Sequence, residues 1–301
     1  MRYENFTMKE HGFVGHLAEP EEGSKKAVLV IMGGEQSLLP GIKIAERFAD
    51  YGITGLAVSL FGAEGLPEGP NQIPLEMFIP ALDYLKTVKK IEHISVYGQS
   101  MGSIFAVLTA QYLGGIENVI MVSPTHVPFE GTLDKKNMSG KSVATFEGQE
   151  IPFVPVDFSS IKTAKYYNHP EAGHRVMGMW IAYYNAYQNK AAENAAWLHL
   201  EKTNARILLI AGDGDEAWPA EYSVHALKTY LEDLSYEKDA KVLVYPHGSH
   251  LNGMMPNRQR EKKLYRMIPL IGLMYKTFGK YRRENMEYFA QTEREIIEWI
   301  R

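Results

Sequence analysis

The sequence predicts an α/β fold, a mainly parallel sheet with helices on both faces, and three observations carry that expectation. Short β-branched and apolar runs such as "AVLVIMGG" (27–34), "HISVYG" (93–98) and "NVIMVSP" (118–124) read as strands buried on both faces. Segments with helical spacing, "IKIAERFADYG" (42–52) and "SIFAVLTAQYL" (103–113), lie between them. The two kinds alternate, as βαβ units require, and right-handed crossovers then place helices on either side of the sheet.

Each element follows from its residues. Positions 2–18 alternate loosely and break at "KEHG", the pattern of a short leading hairpin. "AVLVIMGG" ends in glycines, and the helix after it stops at Gly52. "ITGLAVSLF" (53–61) is the next strand, and "PLEMFIPALDYLKTVKK" (74–90) is a helix with a kink expected near Pro80. From 125 to 203 the alternation stops. There "SVATFEGQEIPFVPVDF" has the form of a hairpin and "VMGMWIAYYNAYQNKAAENAAWLHL" that of helix. The rhythm resumes with "ARILLIAGDGDEAWPAEYSVHALKTYL" and "KVLVYPHGSHLNG". The expectation is a single domain over 1–301, with 125–203 inserted as a cap over the sheet's carboxyl edge.

Composition narrows the function classes. Hydrophobic residues at 45% and charged residues at 23% are ordinary for a soluble globular protein. A net charge of -4 argues against a nucleic-acid partner, which calls for a basic surface. The opening "MRYENFTMKEHGF" lacks the apolar core of a signal peptide. The run "MIPLIGLMYKTFG" (267–279) falls short of the roughly 20 residues needed to span a bilayer. A cytoplasmic protein without a membrane span is expected, and no pattern specifies an oligomer. The absence of cysteine rules out disulfides, thiolate metal sites and a cysteine nucleophile.

Chemistry concentrates at "YGQSMGS" (97–103), where Gly98 and Gly102 stand two positions either side of Ser100. Gly-x-Ser-x-Gly alone is a weak signal, and a serine before a helix is also an ordinary N-cap. Here a strand leads in and a helix leads out, which is the setting of a nucleophile elbow. A serine nucleophile needs a base, and the base needs an orienting acid. Downstream strands run into loops carrying Asp213 and Asp215, then His247 and His250, in the serine–acid–histidine order of the α/β-hydrolase fold. Asp215 is taken as the acid because it lies between Gly212 and Pro219, the start of a helix. His250 is taken as the base because its Gly-Ser approach permits a mobile, exposed loop. Asp213 and His247 are the alternates. Two backbone N–H groups should form an oxyanion hole. Met101 would supply one, and Gly34, with Glu35 close behind, the other.

Several stretches together resemble the acyl-CoA thioesterase and bile acid-CoA:amino acid N-acyltransferase family, in its carboxy-terminal α/β-hydrolase domain. They are "GGEQSLLPGIKIAERFADYGITGLAVSLFG", "GQSMGS", "SVATFEGQEIPFVPVDF" and "ILLIAGDGDEAWPAE", covering roughly residues 25 to 253. The hairpin with Pro152 and Pro155 is the most distinctive. The resemblance implies that Ser100, Asp215 and His250 match the family's nucleophile, acid and base. It also implies that serine, where the acyltransferase branch has cysteine, marks a hydrolase. The chain departs from the family at Met101, where lysine is frequent, and at "LNGMMPN", which replaces an acidic residue and paired prolines.

Two further stretches stand out. Met177, Met179, Trp180, Tyr183, Tyr184 and Tyr187 fit either the cap's own core or a substrate pocket, for which Trp180, Tyr183 and Tyr184 are the candidates. A basic run from Arg258 to Arg283 fits either a solvated helix face or a site for coenzyme A phosphates. "DGDE" (213–216) lacks the third ligand of a calcium loop, and neither metal nor organic cofactor is expected. The expected activity is cleavage of a small acyl thioester or carboxylic ester through an acyl-enzyme. The alternatives are acyl transfer to an amine or alcohol and a non-catalytic hydrolase-like binding protein.

Overall fold

The computed structural model describes residues 1–133 and 137–301. Eight strands form the main sheet: β1 (Arg2–Phe6), β2 (Gly15–Glu19), β3 (Lys26–Ile31), β4 (Thr54–Val58), β5 (His93–Gln99), β6 (Asn118–Val122), β7 (Arg206–Gly212) and β8 (Ala240–Tyr245). Their spatial order is β1-β2-β4-β3-β5-β6-β7-β8. The β1–β2 hairpin and the β2–β4 pair are antiparallel, and every later pairing is parallel. This is the α/β-hydrolase arrangement.

Period-two alternation splits the sheet's side chains between two cores. Val28 and Val30 of β3 point to the face covered by α1 (Leu39–Asp50) and by the last helix, through Ile44, Phe48, Ile296 and Ile297. Leu29 and Ile31 point the other way, towards α2 (Gly102–Leu113), which buries nearly all its side chains. The same face takes α4 (Ala220–Asp233), with α3 (Gly178–Ala186) before it in the chain. Towards the carboxyl end follow the longer helices α5 (Lys262–Met274) and α6 (Arg282–Ile300), with a short helix at Lys276–Lys280 between them.

Two local outcomes refine the sequence reading. The leading hairpin forms, with a four-residue helical turn at Met8–His11 between its strands. Residues 75–88, expected as one kinked helix, instead change pitch twice: a 3₁₀ turn at Leu75–Phe78, an α segment at Ile79–Asp83 and a π turn at Tyr84–Val88. Pro80, with no N–H to donate, falls in the first turn of the α segment, where none is needed. The chain therefore restarts its helix there rather than bending it.

Between β6 and β7 the chain leaves the sheet for residues 123–205. This stretch holds small antiparallel pairs, including Ala144–Phe146 with Gln149–Glu150, and α3. The buried His126 fastens it to the body. Nδ1 lies 3.0 Å from Ser223 Oγ on α4, and Nε2 lies 3.0 Å from Glu193 Oε1. Tyr187, Trp197 and Tyr222 enclose the imidazole. Tyr187 closes the seam by hydrogen bonds with Thr125 and Ser223.

Candidate active site

The carboxyl ends of β3, β5, β7 and β8 converge on Ser100. Its φ of 56° is left-handed, a conformation that costs a non-glycine residue of order 1–3 kcal/mol. The turn closes only because its neighbours lack side chains. A Cβ on Gly98 would lie 2.4 Å from the Gly102 carbonyl oxygen, and one on Gly102 would lie 2.1 Å from that of Ile31. The serine is thus lifted above the sheet at the start of α2, where the helix dipole favours negative charge.

His250 Nε2 lies 2.9 Å from Ser100 Oγ, and its Nδ1 lies 2.7 Å from Asp215 Oδ2. The other carboxylate oxygen, Oδ1, accepts the N–H groups of Ala217 at 2.8 Å and Trp218 at 3.3 Å. Those bonds fix the carboxylate before the histidine meets it. The histidine is held in turn by Ser123, whose Oγ donates to the His250 carbonyl at 2.9 Å. The Trp218 indole donates to the Ser123 carbonyl at 2.9 Å and presents its ring at 85° to the imidazole, 5.5 Å away. On the other side Tyr275 lies nearly parallel to the imidazole at 6.4 Å. Burial pushes the imidazole's proton affinity down, but the charge and hydrogen bond of Asp215, helped by Glu35, outweigh it and leave the pKa above its usual 6.5.

The alternates occupy other positions. Asp213 accepts the backbone N–H of His247, and the His247 ring stacks on Tyr281 at 3.9 Å. This pair braces the loop and does not reach Ser100. Among the described residues the N–H groups of Met101, Gly33 and Gly34 have no protein acceptor. Gly33 passes closest to the serine: a Cβ there would lie 2.8 Å from Ser100 Cβ, whereas one on Gly34 would meet nothing within 4 Å.

The three aromatic candidates do not touch Ser100. Trp180 and Tyr184 stack at 5.1 Å and line a cavity of about 180 Å³ together with Asp215 and Trp218. Tyr183 packs at 5.5 Å on Trp218, one ring away from His250. Sequence reasoning passed over Gly33, Ser123, Trp218 and Tyr275. Only Trp218, three residues after the acid, carries a positional hint. Ser123 and Tyr275 reach the site from distant parts of the chain. Glu216, next to Asp215 and 1% exposed, binds distant segments instead: its backbone carbonyl accepts Met177 N–H at 3.0 Å and its Oε1 accepts Thr277 N–H at 2.9 Å. It joins the 123–205 segment and the C-terminal helices to the acid loop. No group of metal-ligating side chains occurs among the described residues, and none of their helices is long and apolar enough to cross a membrane.

A family model described as BAAT / acyl-CoA thioester hydrolase C terminal matches residues 73–256. The chain is 23% identical over 235 residues to acyl-coenzyme A thioesterase 6 of Homo sapiens, covering 77% of this chain and 50% of that protein. It is 24% identical over 215 residues to acyl-coenzyme A amino acid N-acyltransferase 2 of Mus musculus, covering 69% and 44%. It therefore spans about half the length of the curated relatives it matches. Among solved structures, a carboxyl esterase from Bacillus coagulans superposes with a TM-score of 0.50 at 14% identity, covering 88% of this chain and 95% of that one. A protein described as a dienelactone hydrolase from Klebsiella pneumoniae reaches 0.54 at 13% identity, covering 99% and 98%. Both likenesses are of fold.

Proposed function

The chain belongs to the BAAT / acyl-CoA thioester hydrolase C-terminal family, and from that premise we propose that it is a serine hydrolase of acyl thioesters, with Ser100, His250 and Asp215 as its triad. The observation that carries the reading is the unbroken chain from Asp215 through His250 to the left-handed Ser100. In this proposal His250 Nε2 takes the hydroxyl proton as Ser100 Oγ attacks the acyl carbonyl carbon. The oxyanion sits against the N–H groups of Met101 and Gly34. The C–S bond breaks as the leaving sulfur takes the proton from His250. Water then attacks the acyl-serine, His250 takes its proton and returns it to Ser100 Oγ, and the carboxylic acid leaves. Residues 125–203 act as a cap whose aromatic cluster, Trp180, Tyr183 and Tyr184 included, borders the acyl group.

Wild type and Ser100→Ala are compared on acyl-CoA substrates of increasing chain length and on aryl esters, with released thiol as the readout for the former. The chain contains no cysteine and contributes no thiol of its own. Acyl-CoA turnover falling by about 10⁴-fold or more in the variant is the expected result. Ester turnover alone overturns the thioester assignment, and turnover of neither overturns the hydrolase reading. Product that forms only with an added amine identifies acyl transfer instead.

A further inference from the structure

Helix α5 lies against the body along one side only. Tyr265, Ile268 and Ile271 pack into a small cluster with Phe278, Phe289, Leu251 and Met255. The opposite side is also apolar, yet it meets water. Met267 is 48% exposed, Leu270 55%, Leu273 77% and Met274 66%. The solvent face of a helix in a globular protein is normally polar. These four side chains form a contiguous stripe at helical spacing that stays exposed among the described residues, with the Tyr166 hydroxyl donating to the Met274 carbonyl at its end, at 2.8 Å.

Charge around the stripe is of one sign. From Lys262 to Arg283 there are seven lysines and arginines and no acidic residue, although the whole chain carries -4. Lys263 and Arg266 share the exposed side one turn before the stripe, and Lys276 and Lys280 follow it. None of these four has a carboxylate partner among the described residues, whereas Arg283 pairs with Glu287. The segment that follows the helix abuts the candidate site, because Tyr275 lies beside His250 and the Thr277 N–H is bound by Glu216.

We propose that α5 docks on an anionic phospholipid surface, with Met267, Leu270, Leu273 and Met274 entering the acyl boundary and the flanking lysines and arginines meeting the headgroups. A helix with an apolar stripe bracketed by cations has the composition of an element lying in the bilayer interface. A second copy of this chain fits less well, because a two-fold contact through the stripe brings together two sets of cations that lack carboxylate partners. Soluble coenzyme A would satisfy the cations and leave the stripe in water. Docking in this way holds the His250 side of the site near the lipid, the phase in which long acyl chains reside.

The test uses the full chain and vesicles of phosphatidylcholine, with and without phosphatidylserine, in a sedimentation assay without substrate, so its outcome is independent of the proposed activity. Wild type pellets with the mixed vesicles and not with phosphatidylcholine alone, and added salt weakens the association. Leu270→Glu/Leu273→Glu and Lys263→Glu/Arg266→Glu each reduce binding by at least about 10-fold, while circular dichroism and aryl-ester turnover in solution stay at the wild-type level. No pelleting with mixed vesicles overturns the proposal. So does release by coenzyme A at concentrations that saturate the enzyme, which would make the cations a substrate-phosphate site. A dimer in sedimentation velocity that Leu270→Glu/Leu273→Glu abolishes, without vesicle binding, overturns it in favour of a contact between copies.

Discussion

Single side chains decide most of the chemistry, and the two pairs of candidate groups in the acid and histidine loops show how. Asp213 and Asp215 are equivalent in type, two positions apart in a glycine-bearing loop. They differ in what meets them: one accepts the His247 amide, the other the imidazole of His250. Asp215→Asn should therefore lower kcat by about 10⁴-fold, and Asp213→Asn by less than about 10-fold, on any substrate that wild type turns over. The pH profile carries the same information. In the proposed triad His250 must be neutral to act as base, and its pKa lies above 6.5. Activity should rise with pH through a midpoint above 6.5, and in Asp215→Asn the midpoint of the residual activity should move down. Gly33 sets a steric limit. A methyl there meets Ser100 Cβ at 2.8 Å, so Gly33→Ala should cost about 10- to 100-fold in kcat/KM by displacing the serine or the loop, with little change in circular dichroism.

Elements differ in how much of themselves they disclose before folding. The strands and the elbow are legible because their signals are local: β-branched runs, terminal glycines and a serine between two of them. The order of acid and histidine loops is legible because it follows from the order of the strands. The changing pitch of residues 75–88 is not, since a π turn depends on where Tyr84 and Lys89 meet neighbours rather than on their propensity. Nor is the exposure of α5: "MIPLIGLM" has the composition of a core segment, and only tertiary placement shows that half of it is uncovered. The role of His126 is equally hidden, because Glu193 and Ser223 reach it from distant parts of the chain. His126→Ala, which opens a void beside Tyr187 and Trp197 and removes the hydrogen bonds to Ser223 and Glu193, should destabilise the protein by about 2–4 kcal/mol. Burial holds the His126 pKa below 6.5. The unfolded chain thus binds a proton at this residue before the folded one does, and stability from this source is lost as pH falls below 6.5. The difference in urea midpoint between wild type and His126→Gln should shrink from pH 7 towards pH 5.

Across the whole molecule, groups from residues 33, 100, 215 and 250 meet at the sheet's carboxyl edge, and the long excursion between β6 and β7 stands among them. The two strands are neighbours in the sheet, in register from Asn118 opposite Arg206 to Val122 opposite Ile210, yet more than eighty residues separate them along the chain. Closing so long a loop carries an entropic cost that grows with the logarithm of its length, and it is lowered if the excursion has already compacted. The His126 seam is where that compaction is fastened. Refolding should accordingly run in two stages: the hairpin and the β3–β5 units form early, and β7 with β8 joins β6 later. Asp215 and His250 follow β7 and β8, so both arrive with the second stage. Recovery of activity should trail recovery of far-ultraviolet circular dichroism, and His126→Ala should widen the lag. With the proposed triad, a newly made chain then passes through an interval in which it is largely structured and still inert, and a histidine outside that triad shortens the silence.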